Sequence, residues 1–311
     1  MDIFSILQSV LGVFVLVAAG YYLCHRKILN REAGDVFAKL VTMVSIPGLL
    51  ISTIYNQFSV SMLSEAALLF LVGFAAQVII MLAAIPLARL LKIPSNRRGL
   101  FICLCAFGNY VFVGLPISSA IFGEAAAVAS ICFYISNIII FWTVGLLAIA
   151  GDAGEQITWR IALKKMANPP LITFLVMTAA IILEIQLPKF ILQTAGYLGG
   201  LTTPMSMLFT GIIIYDAGIK GMKLEKGVIS VLIMRCVVAA AVAFVLSKAL
   251  GLGSQDIKIM TLLSAMPVLS ATCITAQAYG ADAYYAVKNF FWTTVAGVII
   301  IPLYAIILLS I

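Results

Sequence analysis

The stretch GNYVFVGLP (108–116) places an amide side chain and helix-breaking residues inside an otherwise apolar segment. A second stretch, SAMPVLSATCITA, begins at Ser264 and contains Pro267. Proline removes a backbone donor, and glycine lets a chain unwind at low cost. The chemistry that such breaks favour is non-covalent binding. A helix that restarts inside a membrane directs its N-terminal N–H groups and a partial positive charge at whatever occupies the gap, which suits an anion.

We predict a substrate-binding site at these two breaks. A proline kink packed by neighbouring helices is the alternative for either break alone, but two breaks at matching depth favour a site. Counting from the span ends, Asn109 lies about 15 Å deep and Pro267 about 13 Å deep in a hydrocarbon core about 30 Å thick. The candidate substrate-binding residues are Asn109, Tyr110, Gly114, Pro116, Pro267, Ser270, Thr272 and Arg235.

Arg235 stands about eight residues into a hydrophobic span, in VLIMRCVVAA. Its guanidinium either snorkels to the membrane surface or faces the helix bundle and helps to hold an anion or a carbonyl group. Lys288 is close enough to a span end to snorkel. Asn137 and Asn289 are predicted to form hydrogen bonds between helices.

The acidic residues lie near span ends or in loops, and none falls at mid-membrane. This distribution argues against a cationic substrate and against a proton relay through a buried aspartate. The six cysteines form no CxxC pair, and the one histidine, His25, lies in a basic loop. We therefore predict no metal site, no cofactor and no catalytic residue, and the protein is not expected to be an enzyme.

The composition identifies the solvent as lipid, since 63% of the 311 residues are hydrophobic, 10% are charged and the mean hydropathy is +1.16. Hydropathy and turn signals predict an all-α polytopic membrane protein with ten spans. They cover approximately 4–23, 35–55, 63–91, 98–121, 125–150, 168–187, 191–215, 227–250, 257–279 and 283–310.

Lysine and arginine are distributed unevenly between the loops on the two sides: fourteen lie on one side and three on the other. The positive-inside rule then places both termini outside. The net charge of +7 reflects this topology and does not indicate nucleic-acid binding.

Two landmarks recur at the same offset. Pro47 and Pro204 are 157 residues apart, and FGEAAAVA at Phe122 is repeated as YGADAYYA at Tyr279 after the same 157 residues. We predict two five-helix repeats, 1–155 and 156–311, which have opposite orientations because five is odd. The repeats contribute the two broken helices, which cross near the membrane midplane. Pro116 and Pro267 depart from the offset, being 151 residues apart.

GNYVFVGLPISSAIFGE (108–124) resembles the fourth-span signature N-x-x-x-x-G-x-P of the auxin efflux carrier family. AMPVLSATCITAQAYGADAYYAVKNFFWTTVAGVIIIPLY (265–304) resembles its ninth and tenth spans, and NPP (168–170) fits the start of its sixth. Only about 17 residues join the fifth and sixth spans. The chain therefore resembles the compact prokaryotic members described as malate or malonate permeases, which are related to the plant PIN-type auxin transporters.

The resemblance implies a fold similar to that of bile-acid symporters and sodium/proton antiporters. It implies a scaffold from spans 1, 2, 6 and 7, and a transport domain from spans 3–5 and 8–10 that moves by an elevator mechanism. Transport sites of the family lie at the crossover, here Asn109, Pro116 and Pro267. A homodimer and a location in a bacterial plasma membrane are further implications.

The sequence thus favours a secondary transporter of small organic anions, carboxylates above all, in a lipid bilayer. The alternative is a sodium- or proton-coupled symporter of a larger amphipathic or aromatic acid, auxin-like or bile-acid-like, because Tyr110, Phe112 and Met266 provide apolar surface. The coupling ion stays open between proton, sodium and none. No acidic sodium ligand follows Pro267 before Asp282, and Gln277 is the nearest amide. A passive channel is a further alternative.

Overall fold

The computed structural model describes residues 3–57, 63–123, 125–155, 157–218 and 222–310. Every regular element within these ranges is a helix, and no β-strand occurs there. The helices are α1 Ile3–His25, α2 Arg31–Leu40, α3 Ile46–Gln57, α4 Leu63–Leu90, α5 Arg98–Ala106, α6 Leu115–Phe122, α7 Ala125–Ile140, α8 Leu146–Asp152, α9 Trp159–Met166, α10 Pro169–Ile182, α11 Lys189–Gly200, α12 Thr202–Ala217, α13 Lys226–Ile233, α14 Ala239–Ala249, α15 Ser254–Ser264, α16 Ser270–Ala278 and α17 Ala283–Ser310.

Six helical stretches in the described chain are long and apolar enough to cross a membrane, and seven if the bent pair α9–α10 counts as one. The six are Arg31–Asn56, Glu65–Leu90, Ala126–Asp152, Lys189–Asp216, Lys226–Ala249 and Ala283–Ser310. Helices also occupy the remaining predicted ranges. In α1 only the shorter segment Phe14–His25 is recognised as an apolar helix, and the helices in the fourth and ninth ranges are interrupted. The ten-span topology and its inverted repeats stay predictions.

The helices pack as two groups. The first group comprises α1–α3 and α10–α12, and the second comprises α4–α8 and α13–α17. Glycine allows close approach in the first group: a Cβ on Gly20 would lie 2.3 Å from the carbonyl oxygen of Leu208, and one on Gly48 would lie 2.9 Å from that of Ala195. The backbones of α1 and α12, and of α3 and α11, are therefore in direct contact.

The two groups meet differently at their two ends. At the end where α3 finishes and α7 begins, buried side chains of both groups form one hydrophobic cluster, which includes Leu50 and Ile54 from the first group and Ile117 and Ile131 from the second. At the opposite end, predicted to face the cytoplasm, a cavity of about 330 Å³ separates them. The contact between the groups is thus sealed at one end and open at the other.

Candidate functional site

Two helical spans of the second group are interrupted, and the interruptions pair with each other. The first, residues 107–109, follows α5; the second, residues 265–269, lies between α15 and α16. Gly108 and Val268 form an antiparallel bridge. The N–H of Asn109 donates to the carbonyl of Pro267 at 2.8 Å, and the N–H of Leu269 donates to the carbonyl of Phe107 at 3.0 Å. Each of these two stretches, which we call the paired breaks, satisfies backbone groups that the other leaves free.

Side chains of two neighbouring helices hold the centre of the paired breaks. Nδ2 of Asn137 in α7 donates to the carbonyl oxygen of Gly108 at 3.1 Å. Oγ1 of Thr293 in α17 accepts the N–H of Val268, also at 3.1 Å. Asn137 therefore makes the interhelical hydrogen bond predicted for it. The role of Thr293 was missed, although its separation of 156 residues from Asn137 nearly equals the repeat offset and could have revealed it.

Arg235 is fully buried and directs its guanidinium at both breaks. It stands in a π-helical turn, Met234–Val238, between α13 and α14. Its donors reach carbonyl oxygens at the C-terminal ends of α5 and α15, where unpaired carbonyls carry a partial negative charge. These acceptors are Cys105 (3.5 Å), Ala106 (3.1 Å), Ser264 (2.9 Å) and Met266 (2.8 Å). One cation thus caps two interrupted helices, and its side chain is directed into the bundle.

The N-terminal ends beyond the breaks lack such a partner. The helix Tyr110–Phe122, which combines a π-helical turn with α6, begins after Asn109, and α16 begins after Leu269. Neither Asn109 nor Leu269 forms a side-chain cap. The negative helix ends at the paired breaks are therefore bound by Arg235, whereas neither N-cap residue beyond the breaks donates a side-chain cap to the positive ends.

Polar side-chain atoms at the paired breaks are buried without a partner. The amide oxygen and nitrogen of Asn109, which is fully buried, have no hydrogen-bond partner among the described residues. The same holds for the hydroxyls of Tyr110 and Ser264. A buried polar group without a partner costs about 1–3 kcal/mol. Three neighbouring residues at the paired breaks therefore have side-chain donors and acceptors that are unused within the described chain.

The remaining predicted residues surround this centre. A Cβ on Gly114 would lie 3.1 Å from Leu263, so Gly114 lets its helix approach α15. Ser270 and Thr272 are buried in the first turn of α16. Pro267 adjoins the bridge, but Pro116 lies in the first turn of α6, eight residues after Gly108. The two prolines are therefore not equivalent positions, which explains their departure from the repeat offset.

The cavity between the two groups adds residues that sequence reasoning did not assign to a site. Arg31 at its mouth forms an ion pair with Asp216 of the first group (3.2 Å) and a hydrogen bond with Gln277 of the second. Its inner wall reaches Cys273, one helical turn from the start of α16. The signal that could have found Arg31 is weak, because its partners lie at the ends of two distant spans.

At the inner end of the cavity the two groups touch through aromatic rings. Phe209 of α12 lines the cavity, and its ring centroid lies 5.4 Å from that of Phe112, which follows the paired breaks. Most of the lining is apolar and comes from α12, α16 and α17. The Phe112–Phe209 pair thus stands between the cavity and the sealed hydrophobic cluster.

No Asp or Glu is buried among the described residues, and the buried Lys288 pairs with the half-exposed Glu225 at 2.7 Å. Within the same ranges no three His, Cys, Asp or Glu side chains come together as a metal site would require. The buried polar groups at the paired breaks therefore include one cation and several neutral donors and acceptors, and no carboxylate.

A family model for membrane transport proteins matches residues 5–305. The chain belongs to this family. It is the auxin efflux, PIN-like family that the motifs resemble, so that prediction is confirmed. Family membership and the apolar helices identify a multi-pass membrane protein that acts as a transporter rather than an enzyme.

Two relatives are similar to this chain over almost their whole length. An uncharacterized transporter of Methanocaldococcus jannaschii is 27% identical over 309 residues, covering 98% of this chain and 99% of the relative. An uncharacterized transporter of Methanothermobacter thermautotrophicus is 25% identical over 312 residues, covering 97% and 98%. These relatives therefore match this chain over its length as well as in sequence.

Proposed function

We propose that this membrane transport protein is a secondary transporter of small organic anions, carboxylates above all, which it binds at the paired breaks. The observation that carries this proposal is a difference between the helix ends at the paired breaks: the C-terminal ends are capped by a side chain and the N-terminal ends are not. Arg235 binds the carbonyl ends of α5 and α15, whereas no side chain caps the N-terminal ends at Asn109 and Leu269.

The sign of the site follows from these ends. A helix end carries roughly half an elementary charge, so the two carbonyl ends together offset roughly the single charge of Arg235. The two N-terminal ends then leave about one positive charge unbalanced. A monoanion restores neutrality in a region where an unbalanced charge is costly. The amide of Asn109 and the hydroxyls of Tyr110 and Ser264, which are buried without a hydrogen-bond partner, would bind such a ligand.

The two helix groups support an alternating-access mechanism. The first group corresponds to the proposed scaffold (spans 1, 2, 6 and 7), and the second to the proposed transport domain (spans 3–5 and 8–10). The hydrophobic cluster closes one end of their interface, and the cavity opens the other. With both termini outside, this arrangement is a cytoplasm-open state of an elevator in a bacterial plasma membrane.

One observation favours the second candidate, a symporter of a larger amphipathic or aromatic acid. The cavity has space for more than a dicarboxylate, and its lining is largely apolar, including Phe209, Ile212 and Ile274. An aromatic acid would contact these side chains while its carboxylate faces the paired breaks. The coupling ion of either candidate stays open.

The test is anion flux into proteoliposomes that contain the purified protein. A panel of aliphatic mono- and dicarboxylates and of aromatic acids is supplied under imposed pH, sodium and voltage gradients. We expect saturable flux that shows counter-flow, because a carrier exchanges substrate across the membrane and a channel does not. The gradient that drives uptake identifies the coupling ion.

The decisive variant is Asn109→Ala. It removes a buried amide whose oxygen and nitrogen form no hydrogen bond in the structure, so no hydrogen bond within the protein is lost. We expect flux to fall at least tenfold while thermal stability is kept or increased. Asn56→Ala, an exposed amide far from the paired breaks, is the matched control and keeps normal flux. Normal flux in a folded Asn109→Ala protein would remove the paired breaks as the substrate site.

A further inference from the structure

The short helix α9, Trp159–Met166, joins α8 of the second helix group to α10 of the first and is largely exposed. It contains Arg160, Lys164 and Lys165 and no acidic residue. Trp159 is 59% exposed and Leu163 is 51% exposed. Large apolar side chains and cations that are exposed on one helix require an environment that accommodates both.

The spacing of these residues gives α9 distinct faces. Trp159, Leu163 and Met166 follow one another at i, i+4 and i+7 and share a face, and Arg160 and Lys164 share the adjacent one. Lys165 points away from both, because its ammonium lies 6.0 Å from the ring centroid of Trp142 and 5.3 Å from that of Tyr279. One side of α9 is therefore docked on the second helix group, and Met166 at its C-terminal end packs against the hydrophobic core. The exposed side chains on the other two faces are Trp159 and Leu163, and Arg160 and Lys164.

The position of α9 in the chain places its exposed faces near the membrane boundary. It ends three residues before Pro169, where the apolar helix α10 begins. The connecting chain is too short to let α9 lie far from the membrane boundary. The axis of α9 makes an angle of 63° with that of α10. With α10 spanning the membrane along its normal, α9 lies closer to the membrane plane than to the normal. Interfacial helices have this combination of a tryptophan-containing apolar face and flanking cations.

We propose that α9 lies in the headgroup region of the leaflet predicted to face the cytoplasm and binds anionic phospholipid. Trp159 and Leu163 enter the boundary of the acyl chains, and Arg160 and Lys164 contact lipid phosphates. The proposal goes beyond the transport function and does not depend on which anion is carried. It implies that the connection between the two helix groups is fixed to the bilayer as well as to Trp142.

The test is the quenching of tryptophan fluorescence by lipids brominated on the acyl chain near the headgroup. The full-length protein is reconstituted in bilayers of phosphatidylcholine and phosphatidylglycerol, and at equal mole fraction either one or the other lipid is brominated. Subtracting the signal of Trp159→Phe isolates Trp159 from the other two tryptophans. We expect brominated phosphatidylglycerol to quench Trp159 at least twofold more than brominated phosphatidylcholine does.

The double variant Arg160→Gln/Lys164→Gln separates the two parts of the proposal. We expect it to abolish the preference for phosphatidylglycerol while quenching by both lipids persists, and high salt to weaken the preference in the unaltered protein. Lys223→Gln, on another loop predicted to face the cytoplasm, is the matched control and keeps the preference. Equal quenching by both lipids in the unaltered protein would overturn the binding of anionic headgroups. The absence of quenching would overturn the placement of α9 in the bilayer.

Discussion

Gly108 and Arg235 stand so close that a side chain on the first would overlap the second: a Cβ on Gly108 would lie 2.2 Å from Nη2 of Arg235. The same Cβ would lie 2.7 Å from a ring carbon of Tyr110. The guanidinium cannot retreat without giving up carbonyl oxygens that it binds. Glycine is therefore required here by close packing. Its backbone conformation is not the reason, because Gly108 does not have a positive φ.

Gly108→Ala should push Arg235 away from the helix ends and disturb the paired breaks. Overpacking of a filled interior costs about 1–3 kcal/mol, so we expect a clear fall in thermal stability and in anion flux. Gly151→Ala is the control, because a Cβ on Gly151 meets nothing within 4 Å. The measurement is thermal unfolding of both purified variants in the same detergent. Equal stability of the two variants would contradict the packing seen at Gly108.

Replacing Arg235 tests the cap on both helix ends. Arg235→Met leaves four carbonyl oxygens without their donor, and we expect a loss of about 3–5 kcal/mol, typical of breaking a buried charged contact. Arg235→Lys keeps the charge but replaces a planar fork of donors with a single ammonium, so it should fall between methionine and arginine. Thermal stability and the yield of folded protein give the ranking. A snorkelling side chain would instead tolerate all three residues alike.

At the opposite end of the molecule, Asp256 stands just before the ninth predicted span. Burial, a hydrogen bond with Glu65 and repulsion by its charge raise the pKa of Asp256 to about 6. The folded protein therefore holds this proton more tightly than the unfolded chain does. The resulting stabilisation is complete at low pH and is lost as pH rises through the window from about 4 to 6.

Asp256→Asn should remove this pH dependence and raise stability above pH 6, because it abolishes the repulsion between the two carboxylates. Glu65→Gln should narrow the same window without removing it, since the repulsion by Glu65 is lost but burial still raises the pKa of Asp256. Thermal unfolding between pH 4 and pH 8 measures both effects. An unchanged pH profile in both variants would show that the two side chains do not share a proton.

Arg31 connects the two helix groups at the mouth of the cavity, because it binds both Asp216 and Gln277. Arg31→Gln should loosen this connection and widen access to the inner wall, where Cys273 lies. We expect a membrane-impermeant maleimide added from the cytoplasmic side to label Cys273 severalfold faster. The chain has five other cysteines, all of them buried. Labelling that disappears in Cys273→Ser is therefore assigned to Cys273. A rate unaffected by Arg31→Gln would mean that this contact does not restrict the cavity.

Much of the helical order follows from composition and spacing. Helices occupy the predicted ranges because long apolar runs separated by polar turns can satisfy their backbone in lipid only as helices. The interruption after Ala106 also follows, since Gly108 and Asn109 weaken a helix there. The role assigned to Pro116 as the counterpart of Pro267 did not follow, because proline fits the first turn of a helix without breaking it.

Other features depend on contacts that no local pattern encodes. The sequence left open whether Arg235 snorkels, and only the meeting of α5 and α15 provides the carbonyl groups that hold it inside. In the sequence, Thr293 cannot be distinguished from other threonines in apolar helices. Only the structure shows that its hydroxyl oxygen accepts a hydrogen bond from the N–H of Val268. The cavity at Arg31 arises from two distant helix ends.

The buried charge of Arg235, unlike that of Lys288, has no carboxylate partner among the described residues, and this has an electrical consequence. No buried Asp or Glu accompanies it in the described part of the chain, so under the proposed elevator motion it travels with the second helix group. The empty carrier then moves about one positive charge through part of the membrane potential, whereas a bound monoanion cancels that charge. Each unit charge crossing 100 mV involves about 2.3 kcal/mol. Voltage therefore acts on the return of the empty carrier, and an inside-negative cell holds that empty form towards the cytoplasm.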